Sequence, residues 1–458
     1  MEHNVKTISV KQLEKLAGDG QVDTVLTVFP DQQGRLAGKR YSARTFLEQS
    51  QHGWEGCNYL LGCDIENEPL PGYQLFSWDL GYGDFMVRPD LGTLVLVPWL
   101  DKTAMVLGDV EGSDHQPMPV APRQILRAQV RRAEAVGIGV RVASELEFYV
   151  FNDSYEQAWD KGFKGMDTVG RYIEDYHILQ TTKEEKFMQA LRRYFEEMGL
   201  EVENSKGEWG PGQEELNLGH AEPVEMADRH SYFKHGIKEV AALMGQSVTF
   251  MAKWNTGLAG SSCHIHSSIR DVKTGAPLGW DEKDPAHMSK SLRHWVAGQL
   301  AMGQEFAVFY APYVNSYRRY QSGSFAPTRL VAGVDNRTCG MRLVGHSPPA
   351  IRVENRCPGA DANPYLAFAA TIAAGLYGIK RELEFEGIYR GNAYNDPKVR
   401  EVPKTLYEAI RRLEESKVAR EALGDVVVDH YVNTARQEQA VYDKQVSDID
   451  LRRNFERA

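Results

Sequence analysis

Four segments of this chain place charged side chains at every second position, a period that suits a β-strand with one polar and one apolar face. In Val140–Val150 (VRVASELEFYV), Val140, Val142, Leu146, Phe148 and Val150 fall on one side, and Glu145 and Glu147 on the other. In Gln213–Gly219, Leu216 and Leu218 oppose Glu215 and Asn217. In Ser262–Ser268, His264, His266 and Ser268 share a face, and in Ile351–Arg356, Ile351 and Val353 oppose Arg352, Glu354 and Arg356. A single such strand reads most simply as the solvated face of a half-exposed sheet. Four of them, each setting Glu, His or Arg against an apolar face, ask for a common explanation.

Carboxylates gathered on one sheet face repel one another unless cations neutralise them. Glutamate and histidine without cysteine suit a hard or borderline ion such as Mg²⁺ or Mn²⁺. The interleaved arginines suit phosphate oxygens, which a guanidinium grips with two parallel hydrogen bonds. Carboxylates, metal and arginines together equip a site for phosphoryl transfer. The chain has no G-x-x-x-x-G-K-[ST] loop, so a P-loop is not the nucleotide cradle.

At 458 residues, two or three domains are expected. The first ~110 residues look strand-rich with frequent turns. Within them, Gly62–Pro89 reads as a loop too long for mere connection. The stretch Val110–Arg123 is a plausible boundary, giving domains 1–112 and 113–458. Beyond it, amphipathic helices are expected over Gln124–Val136 and Lys183–Met198, alternating with strands, so the larger part is α+β or α/β. The Ala-rich run Tyr365–Ile379 follows Asn363-Pro364, a cap and a first-turn proline, and reads as a buried helix rather than a membrane span. A net charge of −10 with no Lys/Arg stripe argues against nucleic acid as a partner. Five scattered cysteines without a CxxC pair, and a polar N-terminus without an apolar signal-peptide core, favour reduced thiols in a cytoplasm.

Along nearly its full length the chain resembles the glutamine synthetase superfamily, type I-like. The resemblance is carried by Glu145-Leu146-Glu147, by GEWGPGQEEL with Glu208 and Glu215, and by KWNTGLAGSSCHIHSS from Lys253 to Ser268. It continues through NSYRRY (Asn315–Tyr320), DNRTCGMR (Asp335–Arg342) and IRVENRCPGADANPYLAFAA (Ile351–Ala370), in that order. It implies an N-terminal β-grasp domain followed by a catalytic domain built on a curved antiparallel sheet with helices. It implies one metal site from Glu147, Glu208 and Glu215, and a second from Glu145, His264 and Glu354, with two or three Mg²⁺ or Mn²⁺ ions in all per active site. His266, with Ser268 and Lys253 of the same stretch, would face ATP; Arg337, Arg342 and Arg352 would hold phosphates and developing charge. Arg319 and Arg356, with Gly260 on the loop over the substrate, would hold L-glutamate. The implied reaction phosphorylates the γ-carboxylate of glutamate and then lets an amine attack the acyl phosphate. Family members form double-ring homo-oligomers, dodecamers among them, whose active sites are shared between subunits.

The amine side departs from ammonia-using members. These carry a glutamate on the flap between NSY-x-R and the following A-P, where QSGSFAP has Phe325. Their D-G-S-S motif falls at Asp64-Ile65-Glu66-Asn67, which keeps the Asp and loses the rest, so Asp64 is the candidate for holding the amine cation. An alkylammonium has a pKa of roughly 10, so a carboxylate must both bind it and help deprotonate it. Phenylalanine in place of a flap carboxylate supplies an apolar wall, as a carbon-bearing amine requires. The chain therefore looks closer to γ-glutamyl-polyamine, -ethanolamide and -alkylamide synthetases. The usual K-P is here Lys253-Trp254, and an Asn before the glycine is Ala259, so the loop over glutamate differs. Tyr394 matches a regulatory tyrosine only weakly, and adenylylation is not expected. Two rivals remain at this stage: an ammonia-dependent glutamine synthetase, and a catalytically silent member acting as a structural or sensor protein.

Overall fold

The alternating segments are strands of one sheet. The computed structural model describes residues 5–458. Six strands lie in the first part: β1 (Thr24–Pro30), β2 (Leu36–Ser42), β3 (Trp54–Cys57), β4 (Asp84–Pro89), β5 (Val95–Leu96) and β6 (Thr103–Glu111). They form a sheet of order β2-β1-β6-β4-β3, with β5 beside β6; β1 and β6 run parallel and the other pairs antiparallel. The helix Val10–Gly18 covers this sheet, started by a capping box in which Ser9 and Gln12 satisfy each other's backbone N–H groups.

The stretch Gly62–Pro89 is not all loop, contrary to expectation. Its end is β4, where Phe85, Val87 and Pro89 are buried between exposed Asp84 and Arg88. Arg88 pairs with Glu111 across the sheet at 2.9 Å. The alternation was hidden because the strand is short and follows a Gly-rich run.

The second sheet has eight strands: β7 (Ile138–Phe151), β8 (Val202–Gly207), β9 (Gln213–Leu218), β10 (Ser247–Thr249), β11 (Cys263–Asp271), β12 (Ala332–Val334), β13 (Met341–Val344) and β14 (Arg352–Asn355). Their order is β12-β13-β14-β11-β7-β9-β8, with β10 beside β7, and only the β12–β13 pair is parallel. The architecture is α+β. Helices Pro122–Ala135, Glu185–Met198, Pro223–Leu243, Lys290–Met302 and Pro364–Lys380 contribute to one large apolar core with the inner faces of these strands. Asn363 caps the last of these by accepting from the Tyr365 N–H, with Pro364 in the first turn. Among the described residues no helix is long and apolar enough to cross a membrane. All five cysteines are free thiols.

Candidate active site

Strand register turns the sequence pattern into rows. Directly paired residues on neighbouring strands point to the same face. One row crosses β8, β9 and β7 as Lys206, Glu215 and Glu147. A second crosses β9, β7 and β11 as Asn217, Glu145 and His264. A third crosses β11, β14 and β13 as His266, Glu354 and Arg342. Side chains distant in sequence thus meet on one sheet face.

Two groups on that face have the donor set of a hard divalent ion. Glu147, Glu208 and Glu215 each bring a carboxylate oxygen within 4.8 Å of the others, and so do the donor atoms of Glu145, His266 and Glu354. His264 belongs beside the second group. Its Nδ1 lies 3.0 Å from Glu145 Oε2 and 3.4 Å from Glu354 Oε1, while His266 Nε2 lies 2.8 Å from Glu145 Oε1. Both imidazoles therefore converge on one carboxylate. Burial and the carboxylates of Glu145, Glu208 and Glu147 push Glu215 well above the usual carboxyl range. Burial and Glu208 likewise raise Glu147. At Glu145 burial acts upward too, but hydrogen bonds from His264 and His266 outweigh it and hold the group low. Glu354, fully buried, is held low against desolvation by Arg356 and the two imidazoles. Oxygen and nitrogen donors with no thiolate, and carboxylates raised by mutual repulsion, fit a bound cation such as Mg²⁺ or Mn²⁺.

A cavity of about 480 Å³ opens over these groups. Its walls include both sets of carboxylates, His264, Gly260, Phe325 and the arginines 319, 337, 342 and 356. An adjoining cavity of about 420 Å³ shares Glu145 and is lined by His266, Ser268 and Arg352. Arg352 donates to His266 Nδ1 at 3.1 Å, which fixes that ring with Nε2 toward Glu145.

The arginines are not equivalent. Arg342 bridges Glu354 at 2.9 Å and Asp335 at 3.1 Å. Arg356 pairs with Glu354 and donates to the Phe325 carbonyl at 3.2 Å. Arg319, expected to hold a substrate carboxylate, spends both terminal nitrogens at 2.9 Å on the carbonyls of Cys357 and Arg356, so it braces the chain after β14. Arg337 is exposed and forms no ion pair among the described residues, which leaves it the freest to meet an incoming anion. Gly260 is needed for space: a Cβ there would stand 2.6 Å from the Ala252 carbonyl and 2.8 Å from Arg319 Cγ.

Two expected residues line neither cavity. Lys253 bonds the Leu258 carbonyl with its ammonium and donates its backbone N–H to Asn315 Oδ1 at 3.0 Å, which closes its own loop. Asp64 spends Oδ1 on the N–H groups of Glu66 and Glu68, at 2.8 and 2.9 Å, capping a surface turn.

The structure also adds residues that sequence reasoning missed. Ser262 donates its N–H (2.9 Å) and its hydroxyl to Glu147, and Gln213 reaches the same carboxylate at 3.2 Å. Lys206 pairs with Glu208 and, at 3.2 Å, with Asp175. Trp209 packs against Phe325 with ring centroids 5.7 Å apart, forming an aromatic wall beside the carboxylates. Phe325 holds φ +59°, which turns its carbonyl toward Arg356.

Known proteins resemble the chain along nearly its full length. The family described as glutamine synthetase, catalytic domain, matches residues 119–454. The gamma-glutamylethanolamide synthetase GlnA4 of Streptomyces coelicolor is 46% identical over 451 residues, covering 98% of this chain and 96% of its own. A glutamate–isopropylamine ligase of a Pseudomonas species is 36% identical over 413 residues, covering 90% of each. Among solved structures, the GmaS/ADP complex superposes with a TM-score of 0.84 at 25% identity, over 97% of this chain and 99% of that one.

Proposed function

Since the chain belongs to the glutamine synthetase family, we propose that it joins an organic amine to the γ-carboxylate of L-glutamate, with ATP as the phosphoryl donor and γ-glutamyl phosphate as the intermediate. The observation that carries this reading is one cavity holding two carboxylate clusters, four arginines and an aromatic wall of Trp209 and Phe325. The relatives named for a γ-glutamylethanolamide product and an isopropylamine substrate support an amine bearing carbon.

Glu147, Glu208 and Glu215 would hold one divalent cation, and Glu145, Glu354 and the paired imidazoles a second. Bound there, Mg²⁺ or Mn²⁺ supplies Lewis acidity toward phosphate oxygens. The chain's own groups do the rest. Arg337 reaches into the cavity uncommitted, so it can follow the phosphoryl group as its charge shifts. Arg342 and Arg356, fixed by Glu354, present a rigid cationic edge to glutamate and phosphate. Arg319 positions Arg356 through its backbone carbonyl. Arg352 and Ser268 face the adjoining cavity, where the nucleotide is placed in this reading. Trp209 and Phe325 keep water from the acyl phosphate and cover the carbon atoms of the amine.

Asp64 fits its role only if another subunit brings it to the site, and self-association into a double ring with shared active sites belongs to the same proposal. Exposed Ile65, Trp78 and Leu80 on the same segment support an interface there. Native mass measurement checks it: a monomer at micromolar concentration would remove Asp64 from the reaction.

The test of function is glutamate-dependent phosphate release from ATP with Mg²⁺ or Mn²⁺, with ammonium, methylamine, isopropylamine, ethanolamine or putrescine as acceptor. One organic amine preferred by an order of magnitude or more is the expected result. Ammonium matching or exceeding every amine overturns the reading in favour of an ordinary glutamine synthetase.

A further inference from the structure

A third carboxylate cluster lies outside both cavities. Glu174, Glu184 and Glu214 are 0%, 4% and 1% exposed, and one oxygen from each falls within 4.8 Å of the others. Glu214 sits next to Glu215 in β9 but on the opposite face, which it shares with Leu216 and Leu218 of the apolar core. A carboxylate placed there needs a counter-charge. The nearby cations act on the cluster only through space and pair elsewhere: Lys183 bonds Gln180, and Arg192 pairs with Glu185 and bonds Ser205.

The second observation concerns Glu184 itself. It occupies the N-cap position of the helix Glu185–Met198, yet its side chain makes no capping hydrogen bond. Both of its oxygens are buried with no donor among the described residues, as are Glu174 Oε2 and Glu214 Oε1. The side chain forgoes the helix N–H groups and turns to the other two carboxyls, and four of the cluster's oxygens receive no donor from outside it among the described residues. Desolvation pushes Glu184 up to about 9 and Glu174 to about 8, as expected of acids kept from water and set against one another. The surroundings are closely fitted: a Cβ at Gly207 would stand 2.7 Å from Glu174 Cβ.

We propose that Glu174, Glu184 and Glu214 form a further binding site for a hard divalent cation, separate from the two groups in the active-site cavity. Three carboxylates with no softer ligand suit Mg²⁺, Mn²⁺ or Ca²⁺. The site acts on the catalytic centre through position. Glu174 Oε1 accepts from the Gly212 N–H at 2.8 Å, and the Glu174 N–H donates to the Glu208 carbonyl at 3.3 Å. Glu174 therefore grips both ends of the turn that leads from Glu208 to β9. A cation joining it to Glu184 and Glu214 ties that turn to the start of a core helix and sets where Glu208 stands.

Two measurements test this on the full chain. Crystals equilibrated with Mn²⁺ are expected to show an anomalous-scattering peak among the three carboxylates in addition to peaks in the cavity. Metal analysis after equilibration with Mn²⁺ is expected to find one ion fewer per chain in Glu184→Gln than in the parent, with the cavity ions retained. Peaks confined to the cavity, or an unchanged metal count in a folded Glu184→Gln, overturn the proposal and leave three carboxyls sharing protons. If that variant does not fold, the anomalous map of the parent decides alone.

Discussion

Replacing Phe325 with alanine separates recognition of the amine from phosphoryl transfer. Phe325 is 48% exposed, so its ring has surface to give to a ligand, and it adjoins Trp209 in the cavity wall. Burying a methylene group is worth about 0.8 kcal/mol, and a wall on one side recovers about half of that. An amine with two or three carbons would then lose about 1 kcal/mol of transition-state binding, or roughly fivefold in kcat/KM. Ammonium has no carbon to cover, so its kcat/KM should move less than about twofold. Alanine is no more strained than phenylalanine at φ +59°, so Arg356 is expected to retain the carbonyl it bonds and the arginine side of the site to stay in place. Coupled phosphate release with ethanolamine, isopropylamine and ammonium gives the three values. A parallel fall for all three would make the ring a structural prop, and no fall for any would remove it from the amine site; either result refutes the reasoning.

Glu147→Gln leaves Ser262 and Gln213 in place but removes a charged ligand, so the Mn²⁺ concentration for half-maximal activity should rise at least ~10-fold. A metal titration of initial rates checks this. Arg337→Ala should lower kcat by about 10² or more, as loss of one charge-stabilising donor does, with Tm unchanged because the side chain holds no ion pair among the described residues. A kcat within tenfold of the parent would take Arg337 out of the chemistry. His430, buried against Gln32 at 3.0 Å, is pushed down to about 3 by desolvation, below its ordinary 6.5. The unfolded chain therefore binds the extra proton first, and stability falls as pH drops from about 6.5, by about 2 kcal/mol at pH 5. Denaturant melts of His430→Gln should lose that slope between pH 6.5 and 5, whatever the variant's absolute stability.

The sequence was most legible where polar and apolar residues alternate on long, buried strands. β7 and β11 show their faces plainly, and pairing Glu145 with His264 follows once the two are neighbours. Lys206 was illegible because β8 (VENSKG) has scarcely any apolar face to mark it as a strand. Trp209, Asp175 and Tyr176 come from irregular segments, and only the tertiary fold brings them to the cavity. The commitments of individual side chains were also invisible. Nothing local shows that Arg319 spends its guanidinium on two backbone carbonyls, or that Asp64 caps its own turn. Glu214 was hidden beside Glu215, since alternation assigns a face without saying whether that face is wet or dry.

The contact between Arg356 and the flap runs to the backbone carbonyl of residue 325, not to its side chain. The anchor is therefore indifferent to which side chain stands there. A single codon change at this position can alter what the flap presents to an acceptor while the arginine, the carboxylate behind it and the strand that carries both keep their places. In the proposed reading of the flap as the acceptor's wall, new acceptors become reachable by drift there alone, with no intermediate in which the rest of the enzyme must be rebuilt.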